Sequence, residues 1–395
     1  MSFAQSSQGS RLSVRQVEDL GKTEASAWNA LLADQNPFLT YEYLAGLESC
    51  HCLDEHGWIP SHLLVYEGQQ LIGAMPMYLR TNSYGEFVFD WSWADAYERA
   101  GGQYYPKLVS AIPFAPVQGP RLLVNQTYPD KGQVQEILIN AAIDIARAAA
   151  ISSFHCLFPL YPDKEFFTGH DMLIREGIQY HWHNRNYRDF DDFLDSITSK
   201  KRKQIKRERR QVKESGVEIE VLKGGDTSSA MWEIFYDFYC STFYRRWGSP
   251  RLTLDFFKYV GEIMPDQTLL ILARKNKKYV AGAFAMCSEN IVYGRHWGCN
   301  SHFPHLHFEL CYYQTIEYCI KNRMTTVDAG VQGEHKLSRG FDPVVTWSSH
   351  WFMHPGFHDA VRNFLKQERA DINAYAGQLN LHLPYKSVSQ GKTDI

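Results

Sequence analysis

Apolar and polar positions alternate along Leu12-Ser13-Val14-Arg15, the period-two signature of a half-buried strand. The period lengthens to that of helices over EASAWNALLA (24–33) and YEYLAGLES (41–49). Two β-rich runs follow, HLLVY and LIGAMPMYL, and Glu67-Gly68 between them predicts a hairpin turn. An aromatic run, EFVFDWSW (86–93), predicts a further strand. A long amphipathic helix (134–150) and a continuous apolar strand, FHCLF (154–158), complete the set. The same order returns later in the chain. Strand VEIEVL (217–222) precedes helices at 229–246 and 253–264 and a hairpin at 268–288. Strand NIVYGRHWG (290–298), a helix at 308–322 and strand TTVDAG (325–330) follow.

Local echoes support a duplication. Leu71-Ile72-Gly73-Ala74-Met75 answers Val280-Ala281-Gly282-Ala283-Phe284 at the same place in the hairpin. Tyr105-Pro106-Lys107-Leu108 answers Phe303-Pro304-His305-Leu306 ahead of each long helix. Self-similarity in a fixed order predicts a repeat architecture. The expected organisation is a first unit at 11–195, a basic connecting helix at 196–214 and a second unit at 215–384. Residues 1–10 and 385–395 are expected to be loose ends.

Composition narrows the class. With 44% hydrophobic, 22% charged and 14% aromatic residues, the 395-residue chain is globular and not disordered. No apolar run approaches the ~20 residues of a membrane span, and the N-terminus lacks an apolar signal core, so a cytoplasmic protein is expected. Eight cysteines without a CxxC pair fit reduced thiols. The charge is uneven. Residues 200–213 hold nine Lys or Arg and one Glu on a chain of net charge −3. That concentration predicts a local anion site rather than a nucleic-acid-coating surface, and DNA is not an expected partner.

The segments LIGAMPMYLRTNSYGEFVFDWSWADAY, YYPKLVSAIPFAPVQGPRLL, GRHWG, PHLHFELCYYQTIEYCI and DAGVQGEHKLSRGFDP carry a resemblance to a known family. On these segments, across roughly residues 35 to 365, the chain resembles the FemAB-like, peptidoglycan biosynthesis/recognition family of the GNAT acyltransferase superfamily. The resemblance implies an α/β (α+β) fold of tandem GNAT-like units, each a mixed splayed sheet with helices on both faces. It implies an acyl- or aminoacyltransferase that moves a group from an activated donor, acyl-CoA or aminoacyl-tRNA, to an amine, with a cell-wall precursor as acceptor. No tightly bound cofactor is implied. Partners would be a small-molecule or nucleotide-linked substrate, with tRNA as one donor carrier. Acetyl-CoA-dependent members carry a Gln/Arg-x-x-Gly-x-Gly/Ala turn, and Arg99-Ala100-Gly101-Gly102-Gln103-Tyr104 departs from it by ending in Tyr.

The residues nominate chemistry as well. Positive side chains in a first helical turn oppose the helix dipole. A chain that accepts this can present charge and free N–H groups to phosphate, which nominates Lys200, Arg202 and Lys203, with Ser199 as N-cap. Asp189, Asp191, Asp192 and Asp195 just upstream are competing partners, and a solvated connector is the alternative.

Asp328–Arg339 begins at the C-terminal end of an expected core strand, where α/β sheets expose loops to ligands. Glu334 or neutral His335 could take an amine proton, and Lys336 and Arg339 could hold a carboxylate or phosphate. Asp328, His307 and Glu309 complete the catalytic candidates. Arg295, His296 and Trp297, with Asp90, Trp93 and Asp95 in the first half, are substrate-binding candidates. Strand alternation separates His296 from Arg295 and Trp297, and core packing is the alternative for Trp93 and Trp297. The spacing His302-x-x-His305-x-His307 lacks a second ligand cluster, so no metal is expected. A non-catalytic module recognising a phosphorylated or cell-wall ligand, and a histidine-based hydrolase, are the rival functions.

Overall fold

The computed structural model describes residues 12–245, 248–301 and 303–386. Of the expected loose ends, 1–10 and all of 385–395 but its first two residues lie outside the described residues, as does His302. The chain folds into two compact units that interleave in sequence. Residues up to 177, with 249–267 and 345–373, form the first; 178–248, 268–344 and the chain from 374 onward form the second. Two contiguous halves with a connector were expected. Instead, helix Leu254–Ile263 belongs to the first unit and the basic helix Ser199–Glu214 to the second.

In the first unit the strands are β1 (Leu12–Val17), β2 (Trp58–Pro60), β3 (His62–Glu67), β4 (Gln70–Met75), β5 (Tyr78–Arg80), β6 (Lys107–Ser110), β7 (Leu123–Val124) and β8 (Ser153–Leu157). An antiparallel sheet runs β1-β3-β4-β7. Helix Lys131–Ala148 covers it. Asp130 caps this helix by accepting the Gln133 N–H at 2.9 Å. Val134, Leu138, Ile139, Ala142, Ile143 and Ala146 recur every three or four residues and are all buried. A Cβ on Gly73 would lie 2.4 Å from Val134, so the helix rests directly on β4. Separately, β5 pairs antiparallel with β2 and β6, and β6 runs parallel to β8. Strand β9 (Leu173–His183) then leads the chain into the second unit.

The aromatic strand expected at 86–93 is a loop followed by helix Trp91–Arg99. Fully buried Lys107 and Arg80, directly paired across β5 and β6, draw Glu86 and Asp90 inward. Phe87 takes a positive φ of 61°, which breaks any strand alternation there.

The second unit is built on β10 (Val217–Lys223), β11 (Thr268–Lys275), β12 (Lys278–Cys287) and β13 (Ile291–Cys299), antiparallel in sequence order. Asn276 and Lys277, both at positive φ, form the tight turn between β11 and β12. β14 (Thr326–Asp328) runs parallel to β13 and antiparallel to His181–His183 of β9. Helix Ser229–Tyr244 covers one face of this sheet, buried through Trp232, Phe235, Phe238 and Tyr239. A helix at 306–321 joins β13 to β14 and contains a π turn over Glu309–Tyr313. Strand β15 (Asp342–Phe352) returns the chain to the first unit, where Ser348–Phe352 pair with β8.

The basic helix buries Ile205, Glu208 and Val212. Its N-cap is Thr198, so Ser199 is the first helical residue rather than the cap. Tyr385, expected in the loose tail, bridges to Ile197 and donates its hydroxyl to the Gly340 carbonyl. No helix among the described residues is long and apolar enough to cross a membrane.

Candidate functional site

In the second unit β13 and β14 stay paired for only three residues, ending at Tyr293 opposite Asp328. β14 stops there and β13 runs on to Cys299. At the parting β13 carries a bulge. Adjacent Phe284 and Ala285 of β12 pair with His296 and Gly294, so Arg295 is the extra residue. A bulge re-aims its side chain, and the Arg295 guanidinium turns to Asp328, donating to Oδ2 at 2.7 Å. Asp328 Oδ1 accepts the Gly330 N–H at 2.8 Å, and His181 Nε2 stands 3.6 Å from the same oxygen. Burial alone would raise the Asp328 carboxyl pKa. Arg295 and His181 outweigh it and hold the group below the ordinary range, as an anion.

Lys336 enters from the loop after β14. A glycine is required at Gly333, whose φ is 110° and whose Cβ would meet His335 at 2.5 Å; this lets a 3₁₀ turn over Glu334–Arg339 fold back. Lys336 is buried and donates to the carbonyls of Ala329 (2.5 Å) and Gly330 (3.3 Å). Burial lowers its pKa to about 8 despite the attraction of Asp328, with Arg295 adding repulsion. Two cations thus meet at the end of β14: Arg295 paired with Asp328, and Lys336 held by the Ala329 and Gly330 carbonyls under the influence of the same carboxylate's charge.

Two neutral imidazoles stand close to one another. His335 is exposed, and its Nε2 lies 2.9 Å from the Tyr312 hydroxyl. Burial, then Arg339 and Lys336, lower its pKa. His307 is half-buried, 6.3 Å from His335 by ring centres and edge-on to Trp297 at 5.2 Å. Burial, then its cationic neighbours, bring its pKa down to about 4.

Of the candidates named from the sequence, Asp328, Arg295, Lys336, His335, His307 and Trp297 lie close together. Others do not. Buried Glu309 accepts from Arg209 at 3.1 Å and from Gln314 at 2.9 Å, and these contacts occupy it as a helix partner. Arg339 donates to both Glu208 oxygens at 3.0 Å, to Tyr313 and to the His335 carbonyl, and lies 3.5 Å over Phe308. Its hydrogen-bonding capacity is spent within the fold, so it fixes the 3₁₀ turn rather than receiving a ligand. His296 packs on the opposite face against Tyr239 and Phe284. Glu334 is exposed and accepts from the Tyr375 hydroxyl.

In the first unit Asp90 is buried against Lys107 and Tyr104, and Trp93 is buried edge-on to His350, which removes both from ligand contact. Asp95 is exposed and pairs with Arg99. On the basic helix Arg202 is taken by Asp195 at 2.6 Å and Lys206 by Asp191 at 3.0 Å, as the upstream acids allowed. Lys200 and Lys203 are exposed and carry no ion pair among the described residues. Among those residues no group of three His, Cys, Asp or Glu could hold a metal ion.

Sequence reasoning missed His181, Tyr312 and Glu208. His181 lies in the alternating run Tyr180-His181-Trp182-His183. Glu208, the lone acid of the basic run, shares a helix face with Ile205 and Val212, a spacing that marks it as inward-facing.

Comparison with known proteins adds the following. Residues 19–387 match the model of the FemAB-like family, described as peptidoglycan biosynthesis/recognition. No curated protein matches the chain. Among solved structures it is similar to FemX, at 10% identity and a TM-score of 0.53, with 88% of this chain and 99% of that one covered. A conserved protein of unknown function from Bacteroides thetaiotaomicron gives 9% identity and 0.50 over 85% and 98% of the two chains. A tandem GNAT protein from the clavulanic acid biosynthesis pathway gives 11% and 0.47 over 87% and 99%. The mixed α/β fold class expected from the sequence holds, with FemX sharing the fold.

Proposed function

The chain belongs to the FemAB-like family, and from that premise we infer that it is an N-acyl or N-aminoacyl transferase whose transfer centre lies in the second unit, at the parting of β13 and β14. The observation that carries the reading is the Arg295–Asp328 pair and buried Lys336, bound to the carbonyls that follow Asp328, beside two neutral imidazoles. Aminolysis of an ester or thioester needs two things at one point: donors for the oxyanion of the tetrahedral intermediate and a base for the amine proton.

Lys336, kept charged at neutral pH by its pKa of about 8, supplies an oxyanion donor in a poorly solvated place. Asp328 fixes Arg295 beside it and balances part of the charge. The acceptor amine attacks the donor carbonyl carbon. His335, neutral and exposed, takes the amine proton. The carbon–oxygen or carbon–sulfur bond breaks, and the proton passes to the departing alkoxide or thiolate. Tyr312 orients the His335 ring. A covalent enzyme intermediate is not required.

Lys200 and Lys203 favour a phosphate-bearing donor, a property shared by acyl-CoA and aminoacyl-tRNA. A cell-wall precursor is the proposed acceptor, in keeping with the family's description. The test is single-turnover transfer from each radiolabelled donor class to an amine-bearing muropeptide precursor, comparing the native chain with Lys336→Met. Transfer lost in the folded variant supports the reading. Absence of transfer from either donor, with precursor binding retained in both proteins, would instead make the chain a recognition module.

A further inference from the structure

Three large aromatic side chains of the first unit face solvent at one corner: Tyr84 (65% exposed), Phe89 (43%) and Trp91 (50%). They touch one another. The Trp91 ring centre lies 5.2 Å from Phe89 and 6.2 Å from Tyr84, with planes tilted by 42° and 52°. Scattered single apolar residues need no explanation, but contiguous rings on a surface mark a binding site.

The support beneath them is costly. Arg80 donates to Glu86, to the His56 carbonyl, to Asn82 and to the Tyr84 carbonyl. Lys107 spends its three protons on Ser83, Glu86 and Asp90. All four charged groups are buried. Removing four charges from water is expensive. Phe87 is held at a φ of 61°, a strained conformation for a bulky residue and one that clusters at ligand clamps. Arg175 anchors the far end, donating to the Phe89 carbonyl at 2.7 Å. Every one of these contacts fixes the backbone that displays the rings.

The charges around the rings narrow the ligand. Across residues 81–99 the exposed charged groups are Asp95, Glu98 and Arg99, net −1, and Arg99 is paired with Asp95 at 2.8 Å. From elsewhere in the first unit come Arg251, half-buried with its guanidinium 5.9 Å from the Phe87 ring centre, and Arg175, paired with Glu368 at 2.7 Å; a nucleic acid or an anionic lipid surface would need a cluster of exposed cations. Asp95 lies four residues after Trp91 on the helix, hence on the same face. A carboxylate in line with tilted Trp and Tyr rings suits a neutral ligand with an apolar C–H face and hydroxyls at its edge. We propose that Tyr84, Phe89, Trp91 and Asp95 form a carbohydrate-binding platform that stacks pyranose rings of a glycan and takes their hydroxyls on Asp95. The platform is a binding site in its own right and does not depend on the transfer chemistry of the second unit.

The probe is chitotetraose, titrated into the full chain by calorimetry and by tryptophan fluorescence. Trp91→Ala should weaken binding about 10-fold or more, a loss of about 1.4 kcal/mol, with an unchanged melting curve. Trp91→Tyr should restore most of it, and Asp95→Asn should weaken it by a smaller factor. Should Trp91→Ala melt early, Tyr84→Ala repeats the test from the exposed side of the cluster. No binding of chitotetraose to the native chain overturns the proposal, as does binding that survives both alanine variants. Ring-dependent association with phosphatidylcholine vesicles in place of the glycan would overturn it in favour of a membrane surface.

Discussion

Each unit buries a cluster of charged side chains, and the two clusters are solved differently. In the first, Arg80 and Lys107 meet Glu86 and Asp90, two cations against two acids. In the second, Arg295 pairs with Asp328, and Lys336 has backbone carbonyls, not an acid, as its hydrogen-bond partners. The histidines differ in the same sense. His155 and His350 are buried with their Nδ1 atoms 2.6 Å apart and are held by Ser153 and Ser348. His335 is exposed beside its cluster. A charge-balanced cluster works as scaffold. An unbalanced one with an exposed base beside it is prepared for an incoming group.

The contrast can be broken by experiment, most sharply at the two lysines. Lys336→Met should cut turnover by about 10²–10³-fold with a modest change in melting temperature. Lys107→Met leaves buried Asp90 without its ion-pair partner and Glu86 with Arg80 alone, so it should cost about 3–5 kcal/mol of stability while the folded fraction keeps its turnover rate. Calorimetry with active-site-normalised kinetics reads both effects, and exchanged phenotypes would reverse the assignment of the units.

A second expectation concerns His335. His335→Ala should lower kcat by about 10²-fold. The native pH profile should be a bell. Its acid limb falls below the ordinary histidine value of 6.5, since the base must be unprotonated and its pKa is lowered. Its alkaline limb falls at about 8, as Lys336 loses its proton. Lys336→Arg should move the alkaline limb upward and leave the acid limb in place.

The histidine pair of the first unit should show in stability instead. Burial brings the His155 pKa down to about 3 and pushes that of His350 well below its usual value. In the unfolded chain both titrate near 6.5. Between those values the unfolded state binds more protons, so stability is full above 6.5 and drains as pH falls. The slope is about 1.4 kcal/mol per pH unit for each histidine. Denaturant melts of His155→Gln from pH 7 to 4 should be flatter than native ones, with little change in turnover at pH 7.

The smallest effect is expected on the basic helix. Lys200→Gln with Lys203→Gln should weaken a phosphate-bearing donor a few-fold, more at low salt than at high. Arg202→Gln should leave affinity unchanged, because Asp195 already holds that charge. Filter binding at two salt concentrations separates them.

The sequence was most legible where structure is local. The hairpins, the helices at 131–148 and 229–244 and the strands beside them follow from period and turn chemistry. The gathering of Asp328, Lys336 and His335 was legible too, because a strand end and a short turn bring them together. What failed is non-local. EFVFDWSW reads as a strand until Lys107 and Arg80, on neighbouring strands, pull Glu86 and Asp90 inside. Arg339 and Glu309 look available until Glu208 and Arg209, more than ninety residues away, take them up. Leu254–Ile263 reads as part of the second half, yet it packs on the helix Tyr41–Ser49, with Phe256 edge-on to Tyr43 at 5.4 Å.

The interleaving of the units bears on how the protein is made. Strand β8 is complete at residue 157, but its antiparallel partner in β15 is not made until residues 348–352. At a synthesis rate of ~5–20 residues per second, that interval lasts roughly 10–40 s. Throughout it the nascent chain offers one long side of Ser-Phe-His-Cys-Leu as an unpaired sheet edge of apolar character, the kind of edge that recruits foreign strands. Helix Leu254–Ile263, which covers Tyr43 and Gly46, is also missing for much of that time. The first unit begins first and closes late, so its yield in a cell should depend on chaperones that shield a half-made sheet on the ribosome.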